Sequence, residues 1–382
     1  MKSKRTFKLK IYSGSDHLLP VAIAYQNAAN WLSRIVFDRH RIQTAPSLSR
    51  EFYSTIRENF KLPSQVTCSL FRHVVATYRT MKANKEWSLA KYKRLVIPVV
   101  WNRDFYFNKK GLAIWKQPIK YSSAQLPKGV WCDSKLKLIG NTWYLCLTVE
   151  IDIPNLKITG GIVGVDRGQK NILCAVDPKT NKTLYVKGGP LNHRRLRIRQ
   201  VRAKVASVGS RSAHRLLRRL SGKEAAVTQN MMHVASKRLV AFADKVGART
   251  IVWEDLNGFR KNQTKENKKL HHKQRARNNR WPYAVLEFFS NYKAMAKGIE
   301  FGYVPARNTS RGCPKCGHVS KSNRHGLAFR CELCGHQDNA DRVGATNVGL
   351  RMLLQRQATE ERAAINRLKV AGSSTSYKPT RL

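Results

Sequence analysis

Acidic residues are scarce in this chain of 382 residues: 23 Asp and Glu face 72 Lys and Arg, a formal net charge of +49. That imbalance excludes an ordinary self-neutralised surface, because unbalanced charge repels the compact state unless a polyanion offsets it. Long uncharged apolar runs and lipidation signals are also missing, which argues against a membrane-bound role. The amino terminus, MKSKRTFKLKIYSG, is basic but has no apolar core of the secretory kind, so a cytoplasmic, nucleic-acid-associated location is expected. Disulfide signals are lacking too. Of eight cysteines, Cys68, Cys132, Cys146 and Cys174 show no pairing pattern and read as small core residues in a reducing compartment. Hydrophobic residues make up an ordinary 42%, enough for two or three domains with cores and too much for wholesale disorder.

Nucleic acid is the counterion this charge calls for, since each phosphate contact releases condensed cations and the gain accumulates. A ribosomal-type basic protein is the bland alternative, and an anionic membrane surface a weaker one.

Along the chain, Ala24, Ala28, Leu32 and Val36 recur every four residues, which predicts an amphipathic helix. A second helix is expected from Ser64, with Val66, Leu70, Val74 and Tyr78 as its apolar stripe; Arg72, Arg79 and Lys82 share another face, either solvated or touching nucleic acid. From Leu95 to Ile151, short apolar runs separated by turn residues predict a small antiparallel β-domain, with hairpins at Asn108–Gly111 and Gly140-Asn141. The helices then read as an insertion in a barrel. Beyond Pro154 come three strands (GGIVGVDRG, NILCAVDP, TLYVKGG) and a very basic helical stretch over Leu191–Val246. ARTIVWEDL reads as a buried strand, Gly258–Arg280 as a basic loop able to cover a site, Tyr283–Lys297 as a helix and IEFGYVPA as another strand. A last helix is expected from Asp341 to about Leu354, followed by a frayed polar tail. The order matches a ribonuclease H-like topology with an insertion before the final helix.

Because carboxylates are few, their positions inform. Asp166 ends IVGVD, Glu254 ends TIVWE, and Asp341 opens the last helix. Singly, each reads as a strand-end acid or a helix cap. Together on this topology they read as the convergent ligands that a phosphodiesterase with two divalent cations requires, with Mg2+ the suited ion. Asp255, Asp177 and Asp338 are rivals that spacing leaves open.

The other four cysteines form two knuckles, Cys313-Pro-Lys-Cys316 and Cys331-Glu-Leu-Cys334, each followed by glycine. Two thiolates on each of two tight turns complete a tetrahedral Zn2+ site with no open position, so the zinc is structural. His318 and His336 lie nearby but are not needed. Arg195, Arg199 and Arg202, with Arg211, Arg215 and Arg218 further on, are placed to track a phosphate backbone.

Gly164-Val-Asp166-Arg-Gly168, Val252-Trp-Glu254-Asp-Leu256, and Asn339-Ala-Asp341 followed by Gly344-Ala-Thr-Asn347 resemble the three RuvC motifs of TnpB nucleases. The run ARNTSRGCPKCG, continuing to FRCELCGHQDNAD, resembles that family's zinc ribbon. The resemblance is specific over about Gly161–Leu350. It implies an α/β RNase H-like RuvC domain over 161–308 and 336–355, with a zinc ribbon at 309–335. It also implies a β-barrel wedge over 1–160 with a helical recognition insertion at about 18–92, and a C-terminal helix and flexible tail over 356–382. It further implies a transposon-derived guide RNA, a double-stranded DNA target beside a short flanking motif, and an RNA–DNA heteroduplex held by its backbone. Carried over, Asp166, Glu254 and Asp341 bind Mg2+ and the four cysteines bind Zn2+. Asp166-Arg-Gly and Val343-Gly-Ala depart from the family's commoner wording without removing a ligand, so an active nuclease is expected and not a nuclease-dead repressor. A miniature type V CRISPR effector, a guided binder that does not cut, and a strand-joining transposase are the rival readings.

Overall fold

Lysines alternate with apolar residues along the first strand, β1 (Lys2–Ser13): Lys4, Lys8 and Lys10 face solvent while Leu9 and Ile11 are buried. This period of two is the signature of a strand with one covered face. The computed structural model describes residues 2–109, 111–122, 126, 128–256 and 281–372, with side chains as far as 361. The chain divides into two compact units, Met1–Asp152 and Ile153–Leu382.

In the first unit, β1 leads into α1 (Leu18–Asp38), α2 (Ala45–Phe60) and α3 (Ser64–Ala83). Six strands follow: β2 (Val96–Val99), β3 (Phe105–Asn108), β4 (Gly111–Ile114), β5 (Gln117–Tyr121), β6 (Val130–Ile139) and β7 (Thr142–Asp152). They form one antiparallel sheet in the order β2-β6-β7-β1-β5-β4-β3. The sheet is nearly closed: Trp101, just past β2, bridges Phe105 of β3, and its ring lies 4.5 Å from that of Trp131 on β6. Leu136, Leu145, Leu147 and Val149 from the sheet share a core with Leu32, Leu70 and Val74 from the helices. Each such buried side chain stabilises by roughly 1.5–3 kcal/mol.

The predicted stripe of α3 is fully buried, as are Ala28, Leu32 and Val36 on α1, whereas Ala24 is half-buried. The β6–β7 hairpin turns on Gly140-Asn141, with Ile139 paired to Thr142; of the Asn108–Gly111 turn, Lys110 lies outside the described residues. Two elements went unread in the sequence. The basic amino terminus is a central strand. Helix α2 starts at Thr44, whose side chain accepts from the Ser47 amide, with Pro46 in the first turn, a normal helix opening.

In the second unit, β8 (Gly161–Asp166), β9 (Asn171–Val176) and β10 (Thr183–Lys187) form an antiparallel run. The basic helical stretch resolves into α4 (Gly189–Val208), α5 (Arg211–Leu220) and α6 (Lys223–Lys245), punctuated by Gly209 and Gly222 in left-handed conformation. Next come β11 (Ala248–Asp255), α7 (Tyr283–Met295) and β12 (Glu300–Pro305). The sheet order is β10-β9-β8-β11-β12, with β8, β11 and β12 parallel. Short strands β13 (Arg324–His325), β14 (Ala328–Arg330) and β15 (Gln337–Asn339) precede α8 (Ala340–Gly372). That helix runs well beyond the expected end near Leu354, because nothing between there and Gly372 breaks it. The loop expected over Gly258–Arg280 lies outside the described residues, as does the tail beyond Gly372.

Alternation along the central strands divides the unit into layers. Val163, Val165, Ile251 and Trp253 pack with α6 and α7, while Ile162, Val252 and Val304 pack against Val348 of α8. Helix α8 lies so close to β8 that a Cβ on Gly164 would sit 2.1 Å from the Ala345 carbonyl oxygen. Only glycine fits there.

Candidate active site

The parallel register pairs Trp253 with Val165, so Glu254 and Asp166 sit side by side at the ends of β11 and β8. Helix α8 brings the third acid. A side chain at Gly344 would come within 3.1 Å of the Asp166 carboxylate, which puts the first turn of α8, and Asp341 with it, over that acid. The sequence separates these residues widely; the sheet and one helix reunite them.

Two of the acids are held by neutral side-chain donors. Asn171 Nδ2 donates to Asp341 Oδ2 at 2.8 Å, and Thr309 Oγ1 donates to Glu254 Oε1. Asn339 Oδ1 accepts from the Asp341 amide at 3.0 Å and so caps α8. Burial raises the Asp166 carboxyl well above the usual range, and repulsion from Glu254 and Asp341 raises it further. Glu254 is also raised by burial, against the Thr309 hydrogen bond and the charges of Arg167, Arg351 and Arg324. Acids that resist ionising together form a site short of positive charge. Arg324, from β13, supplies part of it: its guanidinium lies 3.5 Å from Asp341 Oδ1. Arg167, beneath the cluster, donates to the Glu254 carbonyl at 2.7 Å and to Glu287 at 2.6 Å, with its guanidinium 4.9 Å from the Trp253 ring.

The rival acids have other occupations. Asp255 is exposed. Asp177 accepts from the Lys179 amide and the Thr180 hydroxyl, closing the turn between β9 and β10. Asp338 pairs with Arg342 at 2.8 Å across the start of α8.

Cys313, Cys316, Cys331 and Cys334 are free thiols whose sulfurs all lie within 4.8 Å of one another. Both knuckles repeat one backbone pattern. The Cys313 amide donates to His318 O and the Gly317 amide to Cys313 O; the Cys331 amide donates to His336 O and the Gly335 amide to Cys331 O. Gly317 and Gly335 have φ of 76° and 69°, which the tight turns require. Backbone amides of Cys334 and Leu333 pull the Cys331 thiol down to about 6, favouring thiolate. Four sulfurs 3.5–3.6 Å apart in pairs suit a tetrahedral thiolate-bound ion. Asn347 of α8 ties the ribbon to the acids by donating to Thr309 O and Gly312 O, each at 2.7 Å.

Of the basic residues, Arg72, Arg79, Lys82 and Arg202 are exposed. Arg195 is put to another use: it is buried, and its Nε donates to Glu224 at 3.0 Å, bracing α4 against α6. Arg199 shares the same carboxylate at 2.5 Å. Glu224 is the signal that a reading of arginine spacing alone passed over. Arg324, Thr309 and Asn171 were also missed, since no spacing rule marks them.

A basic α/β protein with a carboxylate cluster at its strand ends and a separate four-cysteine cluster is the class these features define. Residues 283–348 match the model of the Cas12f1-like TNB domain. The chain is 28% identical over 224 residues to a CRISPR-associated endodeoxyribonuclease Cas12f1 of Sulfoacidibacillus thermotolerans, covering 55% of this chain and 50% of that protein. It is 33% identical over 133 residues to the TnpB-like protein MJ0751 of Methanocaldococcus jannaschii, covering 35% of this chain and 46% of that one. Over 58 residues it is 40% identical to the putative RNA-guided DNA endonuclease InsQ of Escherichia coli K12, covering 15% and 14%. The chain thus matches about half the length, or less, of these curated relatives. These similarities are to a TnpB-like protein and to a Cas12f1 effector, the kinds of protein that the motif resemblance implied. No helix among the described residues is long and apolar enough to cross a membrane.

Proposed function

We propose that this chain is an RNA-guided DNA endonuclease of the TnpB kind. The observation that carries the reading is the meeting of Asp166, Glu254 and Asp341 at one end of the second unit's sheet. The strand order β10-β9-β8-β11-β12 supports an RNase H-like RuvC domain over 161–308 and 336–355. The knuckles support a zinc ribbon at 309–335, and the nearly closed sheet of the first unit a wedge barrel over 1–160 with helices inserted at about 18–92.

The three acids fit divalent cations. Burial raises both the Asp166 and the Glu254 carboxyls, and repulsion from Glu254 and Asp341 adds to it at Asp166, so the cluster calls for counter-charge. Two Mg2+ ions, held by these acids, would activate a water and stabilise the departing oxygen of a phosphodiester. The protein's share is positional. Asn171 and Thr309 fix the Asp341 and Glu254 carboxylates, and Arg324 presents a cation that a phosphate can engage. The four cysteines hold structural Zn2+, and Asn347 ties that ribbon to the acids.

Base pairing between guide RNA and DNA supplies sequence choice, and the basic surface supplies affinity for the heteroduplex and the flanking duplex. Arg72, Arg79, Lys82, Arg199 and Arg202 are the proposed backbone contacts, with Arg195 as their internal brace.

The test is to sequence the RNA that copurifies with the chain and to challenge the complex with DNA matching its variable end, with and without Mg2+. Cleavage only of matched DNA, and only with Mg2+, supports the reading. Bulk cellular RNA with no matched cutting overturns it. The likeness to Cas12f1 favours a second reading, a miniature type V effector, which predicts that the copurified RNA carries CRISPR-repeat sequence instead of a transposon end.

A further inference from the structure

In the first unit, a cleft of about 340 Å³ opens between α1, α3 and the segment that enters β2. Its walls combine three rings, Tyr25, His73 and Tyr92, with three consecutive-region cations, Lys91, Lys93 and Arg94. The rings form one ordered set. Tyr25 and His73 lie nearly parallel with centroids 6.1 Å apart, and His73 meets Tyr92 edge to face at 5.1 Å. Hydrogen bonds lock them: Tyr25 Oη bonds His73 Nδ1 at 2.8 Å, and Tyr92 donates its hydroxyl to Thr77 at 3.0 Å. Asn30 holds the Tyr92 backbone on both sides, accepting its amide at 2.7 Å and donating to its carbonyl at 3.1 Å. Burial and the nearby Lys135 lower the His73 pKa, which disfavours a charged imidazolium in the cleft.

No carboxylate lines the cleft, and its three cations are exposed and pair with no acid among the described residues. These cations suit a ligand that carries negative charge. The rigid rings call for a flat partner, and Gln26 on the wall has an amide able both to donate and to accept. The volume falls at the lower end of the range for small-molecule sites. A lone phosphate would leave the rings unused, and an apolar peptide side chain would leave the cations unused.

We propose that this cleft holds one unpaired nucleotide of a nucleic-acid strand, its base against the Tyr92 and His73 rings and its phosphate on Lys91, Lys93 and Arg94. The site requires nucleic-acid binding only and stands apart from the nuclease reading. Stacking of a base on an aromatic side chain tolerates any sequence, and its loss typically weakens binding about tenfold or more.

The test is photo-crosslinking of the full chain to a hexanucleotide of 5-iodouridine and to its 2′-deoxy counterpart, at about 300 mM salt, where contacts to phosphate alone are strongly weakened. Adducts are mapped by mass spectrometry. The expected adduct lies on Tyr92 or His73, at a yield about tenfold above that on Tyr12, whose ring is 62% exposed outside the cleft. A higher yield with the ribose probe assigns the site to RNA, and with the deoxyribose probe to DNA. At about 100 mM salt, where phosphate contacts still count, replacing Lys91, Lys93 and Arg94 together by Ala, all at exposed positions, should cut the cleft adduct about tenfold without changing the melting temperature, while Tyr92→Phe should keep it. Adducts spread over exposed rings with no excess at Tyr92 or His73 overturn the proposal. No divalent ion or cleavage is needed, so a chain that never cuts DNA can still pass or fail.

Discussion

Gly164→Ala puts a Cβ where β8 and α8 leave no room for one. The new Cβ would lie 2.1 Å from the Ala345 carbonyl oxygen and 2.4 Å from the Gly349 amide nitrogen, both backbone atoms of α8. Neither can rotate away, so the helix must retreat by about 1 Å in a close-packed interior. Overpacking of this kind costs about 1–3 kcal/mol, which in a unit of this size lowers the melting temperature by roughly 3–10 °C. The effect on catalysis should be larger. Asp341 rides on the first turn of α8, and a displacement of about 1 Å at a reacting centre costs on the order of 100-fold in rate. Differential scanning fluorimetry and single-turnover cleavage of matched DNA, run on one preparation, measure both effects. A variant that melts and cuts like the wild type would refute the claim that the glycine contact sets the helix against the acids.

Three further outcomes follow from the site. Thr309→Val removes the hydroxyl that favours ionised Glu254, so the Glu254 pKa should rise further and the acid limb of the pH–rate profile should move to higher pH; an unmoved limb contradicts the assigned hydrogen bond. Asp166 is raised in the folded state, so without divalent ions its contribution is present at low pH and is lost as pH rises through that raised value. Asp166→Asn should accordingly melt higher than the wild type at neutral pH in EDTA, with the difference shrinking on acidification; equal melting across the range would count against mutual repulsion. Cys331→Ser should lower bound zinc, measured by elemental mass spectrometry, from one ion per chain to none, and should slow cleavage through the Asn347 and Arg324 links; full zinc occupancy would exclude the four-sulfur site.

Sequence reading reached those elements whose physics is periodic or local. The stripe Val66, Leu70, Val74 and Tyr78 marks α3 because a helix buries one face, and the knuckles are legible because four thiolates need two tight turns. Helix α2 was hidden because its apolar positions are interrupted by polar ones, leaving Leu48 and Ile56 as its fully buried residues. The strand β1 was hidden because its lysines read as charge before they read as alternation. At the site, the acids stood out because carboxylates are rare here. Their partners Asn171, Thr309 and Arg324 are common residue types, and each becomes meaningful only when strand pairing carries it across the fold. Arg195 shows the converse: helical spacing put it with Arg199 and Arg202, yet Glu224, twenty-nine residues on, decides its role.

The central claim is tested most directly by single-turnover cleavage of a guide-matched duplex in Mg2+ by variants bearing Asp166→Ala, Glu254→Gln, Asp341→Ala or Asp255→Asn. The account predicts that the first three lose at least about a thousandfold in rate while still binding the duplex, and that the exposed Asp255 variant cuts like the wild type. Undiminished cutting by any of the first three, or abolition by Asp255→Asn alone, would contradict it.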